Sequence, residues 1–411
     1  MWVTVTPPIN SIDAEIQIPG SKSISNRLLI IRAFCEEKFE IENLSTSDDT
    51  RILNELINSD SKNQNTGAGG TTFRFLLALR ALQGKEITLS GSKEFNTRPI
   101  SPLVNALREL GASITYLEKD GFAPVKVNAS KMNGGKILID ANVSSQFVSA
   151  LMMISPYLDG GLEIFLIGNP VSVSYIFMTA SLMKEFSVDV QLENNSIQIK
   201  QGNYLARKYS CTPDWTSASY WYGLISCTNE SKIKLINLST DKFQGDSILE
   251  VWMQQFSVHS HHVNSDIVIS NNNTIAIPPN EIDFTNNPDL SLALAVVAAV
   301  KGISIYFTGL STLKIKETDR LFALKIELEK TGVHVLIDDN SLRLSGKADA
   351  IKIEKSTFNT YEDHRMAMAL SILVTANAKV KIANPNVVSK SYPNYFDQLK
   401  NIGFGISYEG S

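Results

Sequence analysis

Several basic residues stand at or near the start of what reads as a helix, the end where a cation is least welcome. The settings are Pro19-Gly20-Ser21-Lys22-Ser23-Ile24-Ser25-Asn26-Arg27, Gly69-Gly70-Thr71-Thr72-Phe73-Arg74, Lys316-Glu317-Thr318-Asp319-Arg320 and Glu362-Asp363-His364-Arg365, each leading into an apolar run. A helix N-terminus carries partial positive charge, so each placement costs a few tenths to about 1 kcal/mol. Lys316 and Arg320, read as i,i+4 neighbours, add a similar repulsion. Local rules broken repeatedly in one direction mark functional sites. An anion would relieve every one of them, because helix N-termini together with Arg and Lys bind phosphate and carboxylate. The pattern implies a pocket for small, highly charged anions.

Holding such residues takes helices anchored behind sheets. The 411 residues exceed one ordinary core, so two domains are expected. A recurring helix, small-residue turn and alternating strand is seen at 103–114, 182–190, 251–258, 326–335 and 396–406, with Arg51–Ile57 as a degenerate first copy. The spacing of roughly 70 residues exceeds solenoid periods. About six compound modules, three in each domain, predict a pseudo-symmetric α/β architecture. Leu290 to Val300 reads as a buried helix, Met1 to Pro8 as strand-like, and Asp214-Trp215-Thr216-Ser217-Ala218-Ser219 as the crossing between domains. Turns are expected at Asn271-Asn272-Asn273 and Pro278-Pro279.

Composition narrows the function classes. A net charge of -4 argues against a nucleic-acid binder, so the clustered cations form a local pocket in an acidic protein. Hydrophobic content of 43% fits a soluble globular chain, and no apolar stretch is long enough to span a bilayer. Three cysteines (Cys35, Cys211, Cys227) without paired spacing point to a reducing cytoplasm. His259, His261 and His262 lack acidic or Cys partners at ligand spacing and read as a solvated edge, with no metal expected.

Taken in order, nine motifs carry a resemblance: Gly20-Ser21-Lys22-Ser23 with Arg27; Ser47-Asp48-Asp49; Gly69-Gly70-Thr71; Arg98-Pro99; Ser144-Ser145-Gln146; Pro288-Asp289; Lys316-Glu317-Thr318-Asp319-Arg320; Asp363-His364-Arg365; and Lys390. The chain resembles the 5-enolpyruvylshikimate-3-phosphate synthases along almost its whole length. That resemblance implies an α/β (α+β), two-domain enolpyruvyl transferase fold, each domain of three βαβαββ units. The domains would be 20–212 and 1–19 plus 213–411, with the active site in the cleft between them. It implies transfer of the enolpyruvyl group of phosphoenolpyruvate to the 5-hydroxyl of shikimate-3-phosphate, with release of phosphate and no cofactor. It also implies a cytoplasmic monomer in a family targeted by glyphosate.

Residue roles follow from the same resemblance. Shikimate-3-phosphate would be held by Lys22, Ser23, Arg27, Ser144, Ser145, Gln146, Ser172, Asp289 and Lys316. Phosphoenolpyruvate would be held by Lys22, the Gly70 backbone, Arg98, Gln146, Arg320, Arg365 and Lys390. Asp289 and Glu317, with Lys22, would be catalytic. Two readings compete at the acids: Asp289 after Pro288 also suits a helix N-cap, and Glu317 a first-turn glutamate. The Ser144-Ser145 pair likewise suits a cap. Ala68, Phe75 and Thr312 stand where family members often have Asn, Pro and Asn. Two alternatives are a UDP-N-acetylglucosamine enolpyruvyl transferase and a non-catalytic phosphometabolite-binding protein. The former typically has Asn at the Ser23 position and a cysteine shortly before Arg98, where this chain has none from Glu86 to Arg98.

Overall fold

The computed structural model describes residues 1–140, 142, 144–168, 170–239, 243–271 and 277–410. Residues 272 and 273 of the expected asparagine turn lie outside them. The chain divides into two compact units, Gly20–Cys211 and Met1–Pro19 with Thr212–Ser411. One path builds each sheet. Strand Asn63–Asn65 runs parallel to Ile87–Ser90 across the helix Gly70–Gln83. Helix Ser101–Glu109 then leads to strand Ser113–Tyr116. The chain turns back as Val125–Asn128, which inserts antiparallel between the second and third strands. This βαβαββ path recurs over residues 135–199 and 281–345.

Two further copies are completed by the N-terminal segment. Asp13–Gln17 is the first strand of a sheet whose next strand, Ser231–Ile236, comes only after the whole Gly20–Cys211 unit. Trp2–Thr6 takes the fourth-strand place between Val380–Ala383 and Gly405–Glu409. Its alternation is a strand signature, and Val3 and Val5 are fully buried. The sixth module corrects the expectation of three full units in each half. Around helices Lys22–Phe34 and Asp48–Ile57 only a parallel pair forms, Ile41–Glu42 with Tyr209–Ser210. The reason is local: the chain leaving Asp48–Ile57 runs directly into Asn63–Asn65, which opens the next sheet.

The helix after the first strand of each module is the central one. Ser291–Lys301, with sequence Ser-Leu-Ala-Leu-Ala-Val-Val-Ala-Ala-Val-Lys, is buried from Ser291 to Val300. A helix apolar all round has to be a core helix. Trp215–Cys227 is buried from Trp215 to Ser226 and begins three residues past the unit boundary, capped by Asp214. Lys22–Phe34, Gly70–Gln83 and Ser145–Ile154 pack together in one unit. In the other, Ser291–Lys301 packs against both Trp215–Cys227 and His364–Ser371. Hydrogen bonds between early residues of neighbouring helices, such as Asn26 Nδ2 to Thr71 Oγ1 at 2.8 Å, put their N-termini at one end. Among the described residues no helix is long and apolar enough to cross a membrane.

Candidate active site

In the Gly20–Cys211 unit the candidate residues gather at that common end. Lys22, the first residue of its helix, donates from Nζ to Asp49 Oδ2 at 3.0 Å. Asp49 is fixed in turn by the first turn of the next helix, since its carbonyl accepts from Thr72 Oγ1 at 2.8 Å. Gly70 opens the following helix with two guanidiniums packed over it. A Cβ there would lie 2.8 Å from Arg74 Nη1 and 3.0 and 3.1 Å from Arg98 Nη1 and Nη2. Arg74 donates to Gln146 Oε1 and, at 3.3 Å, to the Pro99 carbonyl. Both arginines lie over the Phe95 ring, which desolvates their planar faces. Ser144 accepts from the Gln146 N–H at 3.3 Å, so the cap reading holds while Ser145 and Gln146 sit in the first turn. Ser172 precedes helix Val173–Glu185 in the left-handed region, with φ of 54°.

Arg27 differs from the rest. It is 1% exposed, and donates to Thr179 Oγ1, Ser149 Oγ and the carbonyls of Ser23 and Tyr175 at 2.8–3.3 Å. Burial lowers its pKa to about 10. It ties three helices together directly behind Ser23.

The other unit holds a denser cluster. Arg320, the first residue of its helix, is 1% exposed and bonds three carboxylates. Its Nε reaches Asp363 Oδ2 at 2.6 Å, Nη1 reaches Asp289 Oδ1 at 2.7 Å, and Nη2 reaches Glu317 Oε2 at 2.6 Å. Arg365 Nη2 approaches Asp289 Oδ2 at 3.1 Å, and Lys316 Nζ approaches Asp289 Oδ1 at 4.0 Å. Burial pushes the Asp289 carboxyl up, but Arg365, Lys316 and Arg320 together outweigh it and hold it well below the usual range. Asp289 is therefore no cap: its oxygens serve cations, whereas Asp214, Asp319 and Asp363 cap their own helices. Lys316 lies in the turn ahead of the Arg320 helix, so the expected i,i+4 repulsion does not arise. Lys390 Nζ donates to the Glu362 carbonyl at 2.6 Å. The histidine trio lies on the exposed strand His259–Val263, where His262 Nε2 meets Glu250 Oε1 at 2.6 Å.

A family model described as EPSP synthase (3-phosphoshikimate 1-carboxyvinyltransferase) matches residues 6–59 and 53–399. The chain belongs to the EPSP synthase family. A relative from Bacteroides fragilis named 3-phosphoshikimate 1-carboxyvinyltransferase is 39% identical over 401 residues, 97% of each chain. Another of that name from a Sulfurovum species is 33% identical over 424 residues, covering 96% of this chain and 98% of its own. A solved EPSP synthase from Acinetobacter baumannii matches with a TM-score of 0.79 at 19% identity, covering 99% of this chain and 100% of that one. The family resemblance and the fold class expected from the motifs are both borne out.

Within this EPSP synthase family chain, sequence reasoning passes over four residues that the structure brings to the clusters. Asp49 and Asp363 belong to motifs but carry no role of their own in the sequence reading. Arg74 is conspicuous there only as a cation near a helix start. Asp246 gives no signal. It is 5% exposed and accepts from Asn287 Nδ2 at 2.9 Å and from Thr216 Oγ1 at 2.5 Å. That joins the first turn of the Trp215 helix to the turn carrying Asp289. Burial raises the Asp246 pKa to about 6 against the pull of those two hydrogen bonds.

Proposed function

We propose that this chain transfers the enolpyruvyl group of phosphoenolpyruvate to the 5-hydroxyl of shikimate-3-phosphate. The hydroxyl oxygen bonds to C2 while C3 gains a proton. C3 then loses a proton, the bond between C2 and the bridging oxygen of the phosphate breaks, and inorganic phosphate leaves. A base at the hydroxyl, an acid at C3 and cations for the phosphate and carboxylate are required. Asp289 takes the hydroxyl proton, and Glu317 gives a proton to C3 in the addition and takes one back from C3 in the elimination. Lys22, Ser23 (with Arg27 behind it), Ser144, Ser145, Gln146, Ser172, Asp289 and Lys316 hold the phosphosugar. Lys22, Gly70, Arg98, Gln146, Arg320, Arg365 and Lys390 hold phosphoenolpyruvate.

The observation that carries this reading is Arg320, one buried guanidinium bonded to both Asp289 and Glu317. It also accounts for how so acidic a carboxyl becomes a base. Phosphoenolpyruvate brings its own carboxylate and phosphate, which draw on Arg320 and Arg365 and weaken the field that suppresses Asp289 basicity. The base is strengthened only when substrate is present.

The test is phosphate release from phosphoenolpyruvate with shikimate-3-phosphate or UDP-N-acetylglucosamine as acceptor. Release is expected with the phosphosugar alone. Asp289→Asn and Glu317→Gln are each expected to lower turnover by about 100-fold or more, the usual worth of a general acid or base, with phosphosugar binding still measurable. Release with the nucleotide sugar only, or parental turnover in either variant, would overturn the assignment.

A further inference from the structure

Tyr361 and Glu362 are consecutive non-glycine residues in the left-handed region, with φ of 53° and 57°. Each is unfavourable for an L-residue, and two in succession persist only where the surroundings over-determine them. The segment is gripped from both sides. On one side Glu327, fully buried on helix Arg320–Glu329, accepts from the Tyr361 hydroxyl at 2.7 Å and from the Asn359 N–H at 3.0 Å. Its third partner, Lys330 at 2.6 Å, itself donates to the Thr357 carbonyl. On the other side Lys390 holds the Glu362 carbonyl, and Asn384 Nδ2 holds the Glu362 carboxylate at 2.5 Å.

Glu327 lies seven residues beyond Arg320, two turns along the same helix face. One helix therefore grips residues 359–363 twice, through Glu327 at Tyr361 and through Arg320 at Asp363. The gripped stretch leads straight into the site: Asp363 accepts from the Arg365 N–H at 2.8 Å, and Arg365 reaches Asp289. A buried carboxylate is costly unless bonded, and two of the three bonds of Glu327 go to the stretch just upstream of Asp363.

We propose that Glu327 and Tyr361 are positioning residues, a latch that keeps the left-handed pair in place and so aims Arg365 and Lys390 at phosphoenolpyruvate. The inference rests on the proposed role of those two cations in holding phosphoenolpyruvate. Without the latch, Tyr361 and Glu362 relax out of the left-handed region. The Glu362 carbonyl then turns from Lys390, and the Asp363 cap shifts.

Tyr361→Phe keeps the ring and removes one hydrogen bond to a carboxylate. The KM for phosphoenolpyruvate is expected to rise roughly tenfold, while the phosphosugar Kd, measured by calorimetry, stays within about twofold. Adding Glu362→Asn, a side chain that tolerates the left-handed region, should recover part of the loss. A variant with a lower Tm but an unchanged KM for phosphoenolpyruvate would mean a purely structural contact and overturn the inference. Should Tyr361→Phe fail to fold, Glu327→Gln takes its place. The amide keeps the shape but offers one acceptor oxygen to the two donors, the Asn359 N–H and the Tyr361 hydroxyl, so the latch is weakened, and the same selective rise or its absence decides. Arg365→Ala, run alongside, separates the two levels. If it leaves the KM for phosphoenolpyruvate unchanged, the functional assignment fails. If it raises that KM while the latch variants do not, only the latch fails.

Discussion

At the scale of a residue, Gly70 offers the sharpest separation of stability from binding. Its backbone is ordinary helix, so alanine there is unstrained and a better helix former by up to about 1 kcal/mol. The methyl would nevertheless meet the tips of Arg74 and Arg98, 2.8–3.1 Å away, and both side chains can move only by changing where their charges point. Gly70→Ala is therefore expected to keep or raise Tm while lifting the KM for phosphoenolpyruvate by about tenfold, since displacing a charged hydrogen bond by under an ångström costs on the order of 1–2 kcal/mol. The KM for the phosphosugar should change far less. Steady-state kinetics with each substrate varied in turn decide it: equal losses mean a general distortion, and no loss removes Gly70 from the site. Asp289 shows the limit of reading single residues. Its sequence setting suits a cap as well as Asp214 or Asp363 does. Only the tertiary arrival of Arg320 and Arg365 distinguishes them.

At the scale of elements, the central helices were legible because their character is local. The Ser291 helix is apolar on every face, and helix–turn–strand repeats at 103–114, 326–335 and 396–406 announce their own boundaries. The two-residue strands Ile41–Glu42 and Tyr209–Ser210 are too short to carry a period, so the reduced sixth module was not visible. Asp246 was hidden for a different reason. It sits in a Gln-Gly-Asp turn and gains its meaning only from Thr216 and Asn287, 30 and 41 residues away in sequence. Its raised pKa has a testable sign. A carboxyl that binds its proton more tightly folded than unfolded contributes stability at low pH, and this is lost as pH rises through about 6. Asp246→Asn can keep both hydrogen bonds by turning its amide, but no longer titrates. The unfolding free energy of the variant relative to the parent should therefore rise by roughly 2 kcal/mol between about pH 4.5 and 7.5, at about 1.4 kcal/mol per pH unit below the folded pKa. Urea unfolding of both proteins at the two pH values measures it. A gap that does not change with pH would mean that Asp246 is ionised at no cost.

At the scale of the whole molecule, the Gly20–Cys211 unit is an insertion into the other. The chain enters at Pro19-Gly20, where a side chain on Gly20 would strike the Asn43 carbonyl oxygen at 1.8 Å. It leaves at Cys211-Thr212. The two crossings are tied on either side of the boundary: Asp214 N–H donates to the Pro19 carbonyl at 3.0 Å, and Cys211 Sγ lies 3.5 Å from the Ser21 carbonyl oxygen. The inserted unit has all its strands and its three central helices between those crossings. The host is different, because two of its three sheets need strands from the N-terminal segment. Residues 20–211 alone are therefore expected to fold with a single cooperative thermal transition. They should bind the phosphosugar weakly and release no phosphate, since the proposed base and acid lie in the host. Residues 212–411 alone would leave Ser231–Ile236 and Val380–Ala383 with open edges, a template for aggregation. Supplying residues 1–19 by a fusion should restore their solubility. Circular dichroism melts and size-exclusion profiles of the three fragments are the measurement. A non-cooperative 20–211 fragment, or a 212–411 fragment as soluble as the fusion, would show that neither unit owns its stability in the way the strand pairing implies.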